Sequence, residues 1–337
     1  MTIQGIYEVC IGITEPISAI QYWEQFGYRI GAVGNLRADT AKDLYAVDSE
    51  LQSIRLYHQD ADHGLIRLMM WQQPINQGLV ISSMRVKGNR WATTLTADLL
   101  GILNHAEEAE KEGKDIKYSN PFWEVIYNKN QKIQPFISSL TGVREMLLLQ
   151  PLTRQVLFQR FGYVVPNYGK INPQSTFQTS QFTHMGMIVQ DDSKEILKFY
   201  EDVLDLLRVR DDVETGDESA AGREMFHLQP GEKFIVTAFD DPRSSVSDFM
   251  QARSGRLYII RFPESIQLES RYELAQPGSL GMCLYTYRVQ GIHDYFTKVE
   301  NSHVRKLTQI TSNEFGEMSF SFVAPDGYFW TLVESRD

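Results

Sequence analysis

Cysteine is almost missing from this chain. Cys10 and Cys283 are the only two in 337 residues, which excludes a disulfide framework and a cysteine-rich zinc site. No stretch approaches the roughly 18 consecutive apolar residues of a membrane-spanning helix. Basic runs are absent too: 33 Lys and Arg stand against 43 Asp and Glu, a formal net charge of −10. A field of that sign repels nucleic acid and anionic membranes. The opening residues, MTIQGIYEVC, lack the basic-then-apolar order of a secretory signal. GxGxxG, Walker A, GxSxG and HExxH are all missing, so nucleotide binding and the commonest hydrolase mechanisms lose their usual support. The expectation is a cytoplasmic protein, monomer or homodimer, whose partner is a small molecule and neither nucleic acid nor membrane.

What the chain does contain is a hidden repeat. Its 42% hydrophobic and 23% charged residues suit a globular protein, and its length suits two domains rather than one core. Residues 182–192, FTHMGMIVQDD, alternate as a strand and then present acids to an amphipathic run, SKEILKFYEDVLDLL. The same grammar appears in IYEVCIGITE followed by PISAIQYWEQFGYRIG, with Pro16 placed in the first helical turn. Weaker copies begin at RWATTLTAD and GMCLYTYRVQ. In the four copies Glu8, Trp91, His184 and Cys283 each sit seven residues before the junction positions Glu15, Asp98, Asp191 and Gln290. Each copy has an apolar run opened by a glycine, at Gly64, Gly142, Gly231 and Gly327, which reads as a last strand. Three of the four runs then meet a proline, which removes a ladder donor.

The predicted fold class is therefore α+β, with four βαβββ modules forming two paired-module, cup-shaped domains. An N-terminal pair spans 1–152, with modules at about 1–80 and 88–152. A Pro/Asn/Gln/Ser-rich linker covers 153–180, opening with a short helix at TRQVLFQRF. A C-terminal pair spans 181–337, with modules at about 181–245 and 278–337.

Two segments carry a family resemblance. Ala324-Pro325-Asp326-Gly327-Tyr328 resembles the DPDGY turn before the final strand of glyoxalase I and its relatives. FTHMGMIVQD resembles their opening strand, whose histidine binds the metal. The chain thus resembles the vicinal-oxygen-chelate superfamily of glyoxalases, bleomycin resistance proteins and extradiol dioxygenases. The resemblance implies a ligand cup and, for most members, one divalent metal (Fe, Mn, Zn or Ni) held by His and Glu from the first and last strands.

Carried over one position at a time, the ligand set departs from that pattern. His184 matches, Cys283 replaces the second histidine, and the last-strand glutamate falls on Thr331, with Leu68, Met146 and Ile235 in the other modules. The expectation is a metal-poor cup for an oxygenated or aromatic metabolite, with no metal or one divalent ion at His184. His184 and Glu8 are the acid/base candidates for isomerase or lyase chemistry. Arg67, Trp91, Glu145, Cys283, Tyr285 and Thr331 are the candidate ligand contacts, with Glu8, Arg67 and Glu145 forming a polar floor in the N-terminal cup. A metal-dependent dioxygenase or lyase using His184 with Cys283 or nearby carboxylates is the second reading, and a non-catalytic sequestering protein the third. Trp71, Tyr287 and Trp330 either line a cup or fill the core. His58 and His63 are expected to decorate a turn, and His227 to lie on a strand.

Overall fold

The computed structural model describes residues 2–125, 141–191 and 193–335. Module one runs β1 (Thr2–Gly12), α1 (Pro16–Gln25), β2 (Tyr28–Leu36), α2 (Ala38–Tyr45), β3 (Leu51–His58) and β4 (Leu65–Trp71). Module two runs β5 (Arg90–Thr96), α3 (Leu99–Lys111), β6 (Phe122–Val125), β7 (Gly142–Leu149) and β8 (Arg154–Phe161). Module three has β9 (Thr179–Val189), α4 (Glu195–Lys198) continuing into a π turn at Phe199–Val203, β10 (Leu207–Thr215), α5 (Ala220–Phe226), β11 (Lys233–Asp240) and β12 (Arg256–Arg261). Module four has β13 (Gly281–Gln290), α6 (Ile292–Glu300), β14 (Thr311–Ser312), β15 (Met318–Val323) and β16 (Phe329–Glu334). The helix starts follow local chemistry. Glu15 accepts from the N–H groups of Ile17 and Ser18, and Asp98 accepts from that of Gly101, satisfying donors that a helix start leaves orphaned.

Two module ends differ from the sequence expectation. The runs from Gly142 and Gly231 form β7 and β11, which are third strands. The last strands are β8, expected as a short helix and linker, and β12, which lies outside 181–245. Both pair parallel to the first strand of their module, β8 with β5 and β12 with β9. A glycine followed by an apolar run marks any returning strand of a buried sheet, so that signal does not separate third from fourth.

The pairing of modules also differs. One sheet has the order β14-β15-β16-β13-β1-β4-β3-β2 and joins modules one and four; the other, β10-β11-β12-β9-β5-β8-β7, with β6 and a short strand at Lys117–Tyr118 both paired to β7, joins modules two and three. The expected chain-order cups, 1–152 and 181–337, are therefore not the units of hydrogen bonding. Each cup takes one module from either half of the chain, because β1 pairs antiparallel with β13 and β5 with β9. The alternation within a strand sets its buried faces but not which first strand it meets.

One apolar core lies between the two sheets. Val9, Leu68, Tyr287 and Trp330 enter it from the first sheet, and Met146, Met185, Leu257 and Ile259 from the second, with Trp23, Ile102, Leu197 and Tyr295 from helices. Trp330 stacks on Tyr287 with centroids 5.2 Å apart, so these aromatics fill core rather than line a cup. Polar ties fix the sheets together. Tyr285 directs its hydroxyl at the carbonyls of Trp91 (2.7 Å) and Gly186 (2.9 Å). Tyr328 accepts from the N–H groups of Gly88 and Ile188. Gly64 and Gly255, both at positive φ, bring the backbones of β4 and β12 against the other sheet's first strand: Phe182 N donates to Gly64 O and Ile6 N to Gly255 O. Only glycine meets both the left-handed φ and the close approach.

His58 and His63 are buried rather than turn decoration. His58 Nε2 lies 3.1 Å from Thr179 O, and His63 contacts Asp62 and Ser254. His227 caps the C-terminus of α5 in the left-handed region, φ 52°, and is not on a strand.

Candidate functional site

The interior of the first cup is built from alternate residues of modules one and four, and it is sealed by ion pairs. Glu8, fully buried, bonds Arg55, Arg67 and the Thr286 hydroxyl. Arg55 forks onto Glu317 at 3.1 and 2.7 Å. Arg67 reaches Glu314 at 3.2 Å and the Tyr45 hydroxyl at 2.7 Å. Burial pushes the Glu8 carboxyl up, yet Arg55 and Arg67 outweigh it and hold the group at about 2. The α2 side chains and the turn at Glu314-Phe315 close the cup. The Phe315 ring stacks under Arg55 at 4.1 Å. Cys283 and Cys10 are buried here with Trp71 and Leu284, and burial pushes the Cys283 thiol up to about 11. Thr331 shares a hydrogen bond with Ser321 at 2.7 Å.

The second cup holds a cavity of about 570 Å³, within the range of small-molecule sites. Strand alternation aims its lining inward: Val156, Phe158 and Arg160 from β8, and Arg256, Tyr258 and Ile260 from β12. Trp91 and Thr93 come from β5, Glu145 from β7 and His184 from β9. Helix α5 covers one side through Met225 and Phe226, and Tyr163 and Tyr168 arrive from the loop after β8. Gly186 shapes the floor. A Cβ there would lie 1.9 Å from the Trp91 indole, so the glycine is what lets that ring lie across β9.

His184 sits deep in this cup. Its Nδ1 lies 3.1 Å from both the Tyr168 and the Thr183 hydroxyls, and its ring packs against Tyr258, Phe158 and Tyr168. Burial, then Arg256 and Arg160, hold its pKa well below the ordinary histidine range, so the imidazole is neutral at pH 7. Across the cavity, Glu145 accepts no hydrogen bond from the described residues. Burial, then Glu124 and Glu214, push its carboxyl up to about 8. It is therefore a protonated carboxylic acid at neutral pH, able to donate and later accept a proton. Arg256 is paired with Asp240, its Nη2 at 2.9 Å.

The proposed contacts thus divide. His184, Trp91 and Glu145 meet in the second cup, whereas Glu8, Arg67, Cys283 and Thr331 lie in the first. Tyr285 stands between them, bracing the strands under Trp91 and Gly186. The predicted floor of Glu8, Arg67 and Glu145 does not form, and His184 with Cys283 cannot share a metal, because these residues belong to different sheets. Arg160, Tyr163, Tyr168, Arg256 and Tyr258 escaped sequence reasoning. The period-two pattern of Val156, Phe158 and Arg160 was the available signal.

The divalent ion implied by the resemblance does not fit this donor set. In register beside His184 stand Thr93 and Arg256, and beyond them Val156, Phe158 and Tyr258. Two guanidiniums already depress the histidine's basicity, an environment that opposes a cation. Among the described residues no three His, Cys, Asp or Glu converge as a metal site.

No protein-family model and no curated protein matches the sequence. Solved structures do match the fold. Glyoxalase I from Zea mays is 11% identical, covering 98% of this chain and 92% of its own, with a TM-score of 0.54. A candidate dioxygenase from Bacillus subtilis is 12% identical, covering 100% and 86%, with a TM-score of 0.57. At such identity the likeness is one of fold.

Proposed function

We propose, for a chain with the vicinal-oxygen-chelate fold, that the cup of modules two and three is a metal-independent site for a small oxygenated or aromatic molecule. Glu145 is its proton donor and acceptor, and neutral His184 orients the ligand through a hydrogen bond. The observation that carries this reading is the position of Glu145: a carboxyl that accepts no hydrogen bond from the described residues and faces a cavity large enough for a metabolite. Desolvation that keeps a carboxyl neutral at pH 7 costs free energy unless a ligand uses it. Purely structural burial would have supplied a partner, as Glu8 has in the other cup. Proton transfer between such an acid and a ligand oxygen or carbon is the step of an isomerase or lyase, and it favours turnover over passive sequestration.

The reading is tested with N-phenyl-1-naphthylamine, a neutral aromatic whose fluorescence rises in apolar sites, titrated into chelator-treated protein. One saturable site is expected. Ala221→Trp, which fills the cavity from α5, should abolish it. Absence of saturable binding, or binding indifferent to that variant, would overturn the proposal.

A further inference from the structure

We infer that the ligand of the second cup is a monoanion with an apolar body, held by its anionic group on Arg160. This rests on the reading of that cup as the binding site.

The charges of the cavity are almost all answered within the protein. Arg256 is held by Asp240, and Arg210 by Asp212 at 2.8 Å and Glu214 at 2.7 Å. Arg160 is different: among the described residues it has no carboxylate within ion-pair distance. Its guanidinium lies against the rings of Phe158 (5.3 Å), Tyr168 (5.3 Å) and Tyr163 (5.7 Å). Its Nε is buried without an acceptor. An arginine does not shed its proton in a protein, so this charge persists, and a half-buried charge set among aromatic rings favours a counter-charge. Water alone would answer it poorly among aromatic rings, whereas a planar carboxylate or sulfonate meets the guanidinium fork with two parallel bonds.

The neighbouring strands limit the ligand to one such group: Glu145 on β7 pairs with Phe158, two residues from Arg160, and Glu124 on β6 lies one strand beyond. Burial first, then the charges of Glu124 and Glu214, raise the Glu145 carboxyl. A second anionic end pointing that way would meet carboxylates, while a carbonyl or hydroxyl would meet the Glu145 proton. Away from these groups the lining is largely apolar, with Trp91, Phe226 and Phe234 in contact around it. The mouth continues that character, with Val246 and Phe249 exposed at 64% and 52%.

A matched pair of probes isolates the charge: 8-anilinonaphthalene-1-sulfonate and N-phenyl-1-naphthylamine share a ring system and differ by the sulfonate. Arg160→Gln is expected to weaken the sulfonate by about tenfold or more while leaving the neutral probe within about twofold. Arg160→Lys keeps the charge and should hold the sulfonate closer to wild type, which guards against a misfolded variant. An unchanged sulfonate affinity in Arg160→Gln, or equal loss of both probes with the fold intact by circular dichroism, overturns the anchor. Loss of the neutral probe's saturable site in the wild-type protein would instead overturn the cup reading beneath it.

Discussion

Glu145 on β7, Arg160 on β8 and His184 on β9 line the second cup, and the role proposed for Glu145 has a measurable consequence. Glu145 titrates near 8 in the folded chain against 4.5 for an ordinary glutamate. The native state thus keeps a proton that the unfolded chain loses between those values, and stability falls as pH rises through that window. Urea unfolding at pH 5 and pH 8 should show Glu145→Gln losing less stability than wild type over that range, by about 1–3 kcal/mol. An equal loss would mean that Glu145 is not held protonated. Gly186→Val makes a second test, because its side chain would occupy the place of the Trp91 ring. About 1–3 kcal/mol of destabilisation is expected from such overpacking, with loss of the neutral naphthylamine site. The place of His184 in the cup's first strand was legible in sequence, since it stands in an alternating strand before an amphipathic run. Arg160 was not: one cation in a segment resembling a linker gives no sign that three rings and a cavity surround it.

At the scale of elements, the two cups show one architecture put to different ends. Helix α2 and the Glu314-Phe315 turn fill the first cup, and its charges form a closed set around Glu8 and Arg67. Removing one member strands its partners away from water, so Arg67→Met should cost about 3–5 kcal/mol in chemical denaturation. Below its unfolding transition that variant should still bind the naphthylamine, because the probe occupies the other sheet. The glyoxalase-like turn at Ala324–Tyr328 is also structural here. Asp326 accepts from Tyr328 N at 3.0 Å and from the Tyr200 hydroxyl, and Tyr328 ties module four to modules two and three. The four module starts and the last strands β4 and β16 were readable from period and punctuation. The last strands β8 and β12 were not, because β7 and β11 carry the same glycine-then-apolar signal.

The whole molecule is interlaced, and chain order conceals it. Modules one and four enclose two and three in sequence, and each sheet closes only when both halves of the chain are present. Split at the loop near Asn172, the halves should fail to fold apart and should reassemble when co-expressed. A cooperative transition in either half alone, seen by circular dichroism, would show that the two halves of each sheet do not depend on each other. The sequence pattern could not foretell this arrangement, because alternation specifies a strand's faces while the choice of partner edge is settled by the global fit.

The second cup is proposed to work without a metal. The most direct measurement is the affinity of N-phenyl-1-naphthylamine for one preparation after EDTA treatment and after incubation with Zn²⁺, Ni²⁺, Mn²⁺ or Fe²⁺, with metal content determined alongside for wild type and His184→Ala. One site of unchanged affinity is expected in every state, with no stoichiometric metal. Metal taken up one-to-one, lost in His184→Ala and required for the probe to bind, would contradict it.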